Sequence, residues 1–402
     1  MDLKLIEYQP RYLRKSEFPQ DLGLLLWKEY ADQVGVEFPT VKAEHQWILQ
    51  PYGWVGHIPL SRDFGITIEP KVPLKRLFEM LEVAYRLQSI RFLRGTTGCS
   101  SVPEFYDRLA SVLASRTLDR GRQGYYREYV GRRRSLRHVT GRLDVGSVAR
   151  SPWRVSLPCS FEEHTGDIAD NQILLWTLSR IRRSSACTEH TLRRVSQAYR
   201  ELSGVAMETV VCASDCDDRS YNRLNVDYGP LHALCRFFLD QTGPTHVVGE
   251  RRTVPFLVNM ASLFELFVAE WLASNLDEDL DVRPQERVVI DTDANVAFQI
   301  DLVIQDRSSQ RTICVADTKY KAPSHPSTAD IQQIVAYAVS QDCTEAVLIY
   351  PCEMEHSLDL CIGNVHVRSL VFDLGRNLDE AGRTLIQGLR LSSEDLFQEV
   401  VQ

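Results

Sequence analysis

Three charged side chains interrupt two apolar, β-rich segments near the C-terminal end of the sequence. Asp301 lies in "VAFQIDLVIQ", and Asp317 and Lys319 lie in "RTICVADTKY". The polar stretch "DRSSQ" separates the two segments, which predicts a β-hairpin that turns near Ser308 and Ser309. That pairing places Asp301 almost opposite Asp317. Residues two apart share one face of a strand, so Lys319 is expected beside Asp317.

Two carboxylates and an ammonium at one place on a sheet suit metal-dependent hydrolysis of a phosphodiester. Like charges at close range raise each other's pKa unless a cation lies between them. Oxygen ligands favour Mg²⁺ or Mn²⁺, and such an ion polarises a phosphodiester and acidifies a bound water. Lys319 is expected to orient that water or to stabilise the charge on the phosphoryl oxygens. The alternative is a surface hairpin with a solvated Asp–Lys pair, although the apolar flanks favour burial, where unpaired charges are unfavourable.

Helical patterns flank this hairpin on both sides. Downstream, "ADIQQIVAYA" carries Asp330, Gln333 and Tyr337 on one polar stripe beside an apolar one. Upstream, "NMASLFELFVAEWLASNL" carries Glu265 among leucines and phenylalanines. Taken alone, Glu265 is either a half-exposed boundary residue or a further acid of the metal site.

The order of these elements resembles the core of the PD-(D/E)XK nucleases. More narrowly, "LFELFVAEWL", "IDLVI", "VADTKYK" and "DIQQIVAYA" resemble the McrC family, the nuclease subunit of McrBC-type, 5-methylcytosine-dependent restriction systems. Blocks at residues 53–81, 124–145 and 161–178 also resemble that family, so the likeness runs from about residue 40 to 375. One departure is that Gln299 and Ile300 precede Asp301, where many of these nucleases have a proline. This difference affects a local turn and no metal ligand.

The resemblance implies a Mg²⁺-dependent endodeoxyribonuclease, with Mn²⁺ as a substitute. It assigns catalysis to Asp301, Asp317 and Lys319, with metal ligation by Asp301, Asp317 and Glu265. Gln333 and Tyr337 are expected to hold the shape of the site or to touch the phosphate.

The resemblance also implies partners. They are an McrB-like AAA+ GTPase hexamer, which uses the GTP, and double-stranded DNA with a modified cytosine. No G-x-x-x-x-G-K-[ST] motif occurs in the sequence, which agrees with nucleotide binding by a separate chain. The N-terminal half is expected to dock on the GTPase and to stimulate it.

The patterns predict three regions. Residues 1–150 are expected to form an α+β domain for docking, 151–245 a mainly helical connection, and 246–402 an α/β nuclease core with a small mixed sheet between helices. "GWVGHIPL" and "GITIEPKV" predict two strands in the first region. Beside these strands lie Arg62, Asp63 and Lys71. They either form a hairpin edge or tip that contacts the GTPase ring, or they are solvated turn residues.

Composition sets further bounds. The 402 residues are 44% hydrophobic and 25% charged, which is ordinary for a globular protein of two or three domains. No apolar run approaches the length of a membrane span, and "MDLKLIEYQPRYLRKSE" lacks the apolar core of a signal peptide, so a cytoplasmic protein without membrane contact is expected. The ten cysteines form no C-x-x-C pair, which favours reduced thiols over a zinc site.

The net charge of −8 is unevenly distributed. Residues 116–142 hold nine arginines against one Asp and one Glu, with Tyr125, Tyr126 and Tyr129 interleaved. This stretch is suited to a phosphate backbone or, alternatively, to acidic surface on the same chain or on a partner.

Two other functions stay open from sequence. A free-standing repair-type nuclease of the same superfamily would cut without a partner. A non-catalytic adaptor would keep the fold only to activate a motor, and the intact Asp301, Asp317 and Lys319 argue against it.

Overall fold

A computed structural model of the chain describes residues 2–41, 43–61, 64–87, 99–184, 186–217, 219–241, 246–248, 251–253, 255–291, 296–321 and 325–389. Arg62 and Asp63 lie outside these ranges. The described strands are β1 (Asp2–Ile6), β2 (Arg11–Arg14), β3 (Val34–Glu37), β4 (Gln46–Pro51), β5 (Trp54–Pro59), β6 (Gly65–Glu69), β7 (Glu128–Leu136), β8 (Arg142–Leu143), β9 (Leu157–Thr165), β10 (His246–Val248), β11 (Arg251–Thr253), β12 (Phe256–Asn259), β13 (Leu280–Asp291), β14 (Val296–Asp306), β15 (Thr312–Thr318), β16 (Glu345–Tyr350), β17 (Asp359–Ile362) and β18 (Val365–Val371).

The described helices are α1 (Gln20–Glu29), α2 (Leu74–Ala84), α3 (Val102–Gln123), α4 (Val145–Arg150), α5 (Ala169–Ile181), α6 (Glu189–Leu202), α7 (Tyr228–Asp240), α8 (Met260–Asn275), α9 (Thr328–Ser340) and α10 (Leu378–Leu389). In the part of the chain that the structure covers, none of them is both long and apolar enough to cross a bilayer. The structure describes all ten cysteines, and none of them forms a disulfide.

The chain forms two compact units. The first comprises Met1–Phe105, Gly243–Glu250 and Pro255–Gln402, and the second comprises Tyr106–Thr242 and Arg251–Val254. The N-terminal strands therefore share a unit with the C-terminal sheet, a grouping that the regions expected from sequence do not include. The functional division into residues 1–150, 151–245 and 246–402 stays a prediction.

A four-stranded sheet explains that grouping. Its order is β1-β6-β5-β12, with β1 and β6 parallel and the other pairs antiparallel. The two strands predicted near residues 53–72 are confirmed as β5 and β6. Strand β12, which pairs with β5, lies about 200 residues further along the chain. Gly56 permits this pairing, because its φ is +141° and an added Cβ would lie 2.1 Å from the Phe256 carbonyl oxygen.

Strand β12 runs directly into helix α8. Asn259 caps the helix, since its side-chain oxygen accepts bonds from the amides of Ala261 (3.0 Å) and Ser262 (3.2 Å). The Met260 amide donates to the Gly53 carbonyl at 2.9 Å. The start of α8 is thus attached to the N-terminal sheet on both sides of its cap.

A six-stranded mixed sheet forms the C-terminal part, in the order β13-β14-β15-β16-β18-β17. Strands β13, β14 and β15 are antiparallel, whereas β15, β16 and β18 are parallel. Helix α9 connects β15 to β16, and its Ile334 and Tyr337 pack in one buried cluster with Val303, Val315 and Leu348. This is the predicted α/β core, and β17 and β18 extend it.

The second unit combines helices with a long antiparallel ribbon. Strands β7 and β9 pair over nine residues, and β8 adds a short third strand. Asn171, fully buried on α5, donates to the carbonyls of Tyr126 (2.9 Å) and Gly166 (2.7 Å), both at the end of the ribbon where Glu128 pairs with Thr165. The arginine-rich residues 116–142 thus span the end of α3, all of β7 and the start of β8.

Candidate active site

Asp301 and Asp317 lie opposite each other on neighbouring strands. Leu302 pairs with Ala316 and Val303 with Val315, so the next step of the register aligns the two aspartates. The predicted hairpin is confirmed. Asp301 Oδ2 accepts bonds from the backbone amide of Thr318 (2.9 Å) and from its hydroxyl (3.2 Å). These two bonds fix the Asp301 carboxylate at the end of β15.

Asp317 is a buried carboxylate with a single cation beside it. Its side chain is 1% exposed, and Oδ2 lies 2.5 Å from the Lys319 ammonium. The angles of this ion pair fall outside hydrogen-bond geometry. Burial, followed by the charge of Asp301, raises the pKa of Asp317 to about 6, although Lys319 opposes the shift. The site therefore holds more negative charge than Lys319 alone balances.

Lys319 is held from two sides. Its backbone amide donates to the Ile349 carbonyl at 2.9 Å, just beyond the end of β15. Its ammonium also donates to Gln333 Oε1 at 3.2 Å. Burial lowers the pKa of Lys319, but the adjacent charge of Asp317 outweighs this effect, and the pKa is raised above its usual value. Lys319 is therefore a fixed cation in this site.

Gln333 and Tyr337 support that lysine from helix α9. The Gln333 amide nitrogen donates to the Tyr337 hydroxyl at 2.7 Å, which orients its oxygen toward Lys319. The Tyr337 ring packs on Phe298 of β14, with 5.5 Å between ring centroids. Asp330, also on the predicted polar stripe, pairs instead with Lys321 at 2.5 Å. The structure thus brings together Gln333, Tyr337 and Lys319, whereas Asp330 pairs with Lys321.

Glu265 faces the same site from helix α8. Burial and then the charges of Asp301 and Asp317 raise the pKa of Glu265 to about 8. Its carboxylate accepts a hydrogen bond from the side chain of Gln285, on β13. All six residues predicted from sequence therefore come from elements that meet around Asp317.

Sequence reasoning missed two contacts of this site. Thr318, between Asp317 and Lys319, binds Asp301 through both its amide and its hydroxyl. Gln285 bonds Glu265 from a left-handed backbone conformation, with φ +55°. No motif marks a glutamine at this position, because its role depends on which residue of β13 lies opposite Asp301.

The donor set fits a hard divalent cation. Within the described ranges, no three His, Cys, Asp or Glu side chains already converge on one point as metal ligands: Glu265 turns to Gln285, and Asp317 to Lys319. The carboxylates are all-oxygen donors, and burial first, then repulsion between carboxylates, raises the pKa values of Glu265 and Asp317, which a bound cation would relieve. Both properties suit Mg²⁺ or Mn²⁺.

The fold and the site define an α/β protein with an acidic site and a fixed lysine at the end of a mixed sheet. A family model described as "McrBC 5-methylcytosine restriction system component" matches residues 49–351. The chain belongs to this family.

Solved structures with a similar chain also come from McrBC assemblies. One is a refined half-complex from a tetradecameric assembly of Thermococcus gammatolerans McrB AAA+ hexamers with bound McrC. It is 16% identical over 96% of this chain and 100% of that chain, with a TM-score of 0.52. A second is the cryo-EM structure of the Thermococcus gammatolerans McrBC complex, 17% identical over 69% of this chain and 89% of that chain, with a TM-score of 0.41. The first likeness shows a shared fold. No curated protein matches the chain.

Proposed function

We propose that this chain is the DNA-cleaving subunit of a GTP-dependent, modified-cytosine restriction complex. The observation that carries the proposal is the opposition of Asp301 and Asp317, with the Lys319 ammonium 2.5 Å from the buried Asp317 oxygen. This set fits a PD-(D/E)XK-type core, in which a carboxylate pair and a lysine act on one phosphodiester. Membership of the McrBC restriction family supports DNA as the substrate.

Each residue has a defined task in this mechanism. Asp301, Asp317 and Glu265 would hold Mg²⁺, which when bound polarises the scissile phosphate and acidifies water. Lys319 orients the attacking water and stabilises charge on the phosphoryl oxygens. Gln333 keeps the lysine in place, and Tyr337 orients Gln333.

Asp317→Asn in the full chain tests this assignment. The substitution keeps the size of the side chain and removes its charge, so DNA cleavage in the assembled complex should fall below one per cent of the parent, on the order of a hundredfold or more. Calorimetric Mg²⁺ binding should weaken in parallel. Asp330→Asn, on the stripe of α9 but paired with Lys321, is the matched control. Full cleavage by the Asp317→Asn protein would reject the assignment.

We further propose that the chain works with an McrB-like AAA+ GTPase and that its N-terminal half docks on it. The ribbon end between β7 and β9 supports this, since the basic Arg154 is exposed there between two exposed apolar side chains. Trp153 is 77% exposed and Val155 86%, and Trp and Arg are enriched among residues that dominate interfaces. Lys71 is less suited to docking, because its backbone amide donates a hydrogen bond to the Glu7 carboxylate and its ammonium lies over the Tyr8 ring.

Point substitutions in the full chain test docking better than fragments. A chain ended at residue 245 would lose β12 and leave β5 unpaired on that side. The double substitution Trp153→Ala, Val155→Ser should weaken complex formation and lower the GTP turnover of the partner, while the melting temperature stays unchanged. The exposed Val210, at 75% in the same unit, provides the control substitution Val210→Ser. Unchanged stimulation by the double variant would place the docking surface elsewhere.

A further inference from the structure

The pair of strands β13 and β14 continues beyond the aspartates. Pro284 pairs with Leu302 and Glu286 with Ile300, so Gln285 lies opposite Asp301. Gln285 has a φ of +55°, which is uncommon for a residue other than glycine and is concentrated at functional sites. Gln285 has this uncommon conformation directly beside Asp301, a predicted metal ligand.

A line of polar side chains extends from this residue. Gln285 donates to Glu265 and accepts a bond from the Gln299 amide. Gln285 and Gln299 therefore lie on the face of the β13–β14 pair that carries Asp301. Arg287 pairs with Gln299 across the strands, and directly opposed residues of antiparallel strands share a face. Arg287 is the next residue of this line.

Among the described residues, none neutralises the cation Arg287. Its side chain is exposed, and no described side chain or backbone group forms a hydrogen bond or ion pair with it. Its neighbours along this face include the carboxylates Glu265, Asp301 and Asp317, and the chain as a whole carries a net charge of −8. A polyanion that approaches these carboxylates needs a positive group next to them.

We propose that Gln285, Gln299 and Arg287 form a track for the DNA strand that is cut, in which Arg287 binds the phosphate next to the scissile one. The inference rests on the proposed nuclease function and names how that site holds its substrate. Two residues along a strand advance about 6.7 Å, a distance that a phosphodiester chain covers in one nucleotide. A guanidinium suits this task because it binds phosphate oxygens with two parallel hydrogen bonds.

DNA binding by the full chain tests the track without the partner. The Asp317→Asn background prevents cleavage, and fluorescence anisotropy with an unmethylated duplex measures affinity as salt is varied. Adding Arg287→Ala should weaken binding about tenfold at low salt and reduce the slope of log affinity against log salt by about 0.9, the value for one phosphate contact. Arg287→Lys should keep the slope and lose part of the affinity. Arg383→Ala, an exposed arginine of α10, should match the parent.

Three results would overturn the track: no DNA binding by the parent chain, an unchanged slope in Arg287→Ala, or an equal loss in Arg383→Ala. These results are separable from failure of the nuclease assignment. If the Asp317→Asn complex still cuts DNA, the assignment of the site is wrong whatever Arg287 does. If that complex is inactive and Arg287→Ala binds like the parent, only the track is wrong.

Discussion

The Tyr320 hydroxyl donates a hydrogen bond to Glu7 at 3.4 Å, which joins the residue after β1 to the residue after Lys319. Glu7 is fully buried, and its other oxygen has no hydrogen-bond partner among the residues that the structure describes. The Tyr320 ring also packs on Phe264, beside Glu265, with 5.9 Å between centroids. The N-terminal sheet thus contacts the two segments that carry Lys319 and Glu265, and this is where its support of the site can be measured.

The buried carboxyl of Glu7 is expected to make the free energy of unfolding depend on pH. Burial raises its pKa from 4.5 to about 7, against the opposing effects of the Lys71 amide and charge and of the Tyr320 hydroxyl. The folded protein thus keeps a proton that the unfolded chain releases, so this stabilisation is complete below pH 4.5 and is lost as the pH rises through 7. Glu7→Gln should remove this loss and raise the free energy of unfolding at pH 8 by roughly 3 kcal/mol.

Urea unfolding of Glu7→Gln and of the parent at pH 5 and pH 8 measures the effect. The control is Glu69→Gln, a carboxylate of the same sheet in an exposed ion pair with Lys4. A constant difference between Glu7→Gln and the parent at both pH values would contradict the prediction.

Gln333 should affect the rate of cleavage without being essential. Its loss removes a hydrogen bond to a charged group, while Asp317 still attracts Lys319. Gln333→Ala should therefore slow cleavage about tenfold, since such a bond is worth roughly 1.5 kcal/mol or more. Gln332→Ala, the exposed neighbour on α9, is the matched control. Single-turnover cleavage rates compare the two, and equal rates would show that Gln333 has no part in the site.

Tyr337→Phe should have a smaller effect than Gln333→Ala. The phenylalanine keeps the packing on Phe298 and loses only the hydroxyl that orients Gln333. A cleavage rate within about fivefold of the parent is expected, since the group lost carries about one hydrogen bond of roughly 0.5–1 kcal/mol. The melting temperature should fall by no more than about 4 °C. A rate lower than that of Gln333→Ala would indicate that the hydroxyl contacts the substrate directly.

Glu265→Gln should separate metal binding from folding. Burial, and then the charges of Asp301 and Asp317, disfavours the ionised form of Glu265, so a neutral amide in its place should leave the free protein at least as stable as the parent. Mg²⁺ or Mn²⁺ affinity, measured by calorimetry, should fall about tenfold or more with the loss of one carboxylate ligand. Glu270→Gln, on the same helix but paired with Arg86, is the control. A destabilised Glu265→Gln protein with normal metal affinity would make Glu265 a structural residue of α8.

Gly56→Ala should destabilise the first unit. The added Cβ would lie 2.1 Å from the backbone oxygen of Phe256 at a φ of +141°, so the β5–β12 pair must open or shift, at about 1–3 kcal/mol. Gly131→Ala, in β7 with no atom within 4 Å of the added Cβ, should leave the melting temperature unchanged. Equal melting temperatures of the two variants would show that the pairing tolerates a side chain.

The sequence alone determined the local chemistry of the site. Alternation in "VAFQIDLVIQ" and "RTICVADTKY", with a polar turn between them, was enough to align Asp301 with Asp317 and to place Lys319 beside it, because the period of a strand and a short loop depend only on neighbouring residues. The same holds for Gln333 and Tyr337, one turn apart on a helix, which meet because of the helical period.

Only the tertiary structure decided what supports these residues. That β12 completes a sheet with β5 and that Glu7 contacts Tyr320 are pairings between distant segments. No local pattern specifies such partners, because a strand edge can pair with any suitable strand and a buried carboxylate can bind any suitable hydrogen-bond donor. The packing of the whole unit selects among them, which is why the N-terminal strands, expected from sequence as a separate domain, group with the C-terminal sheet.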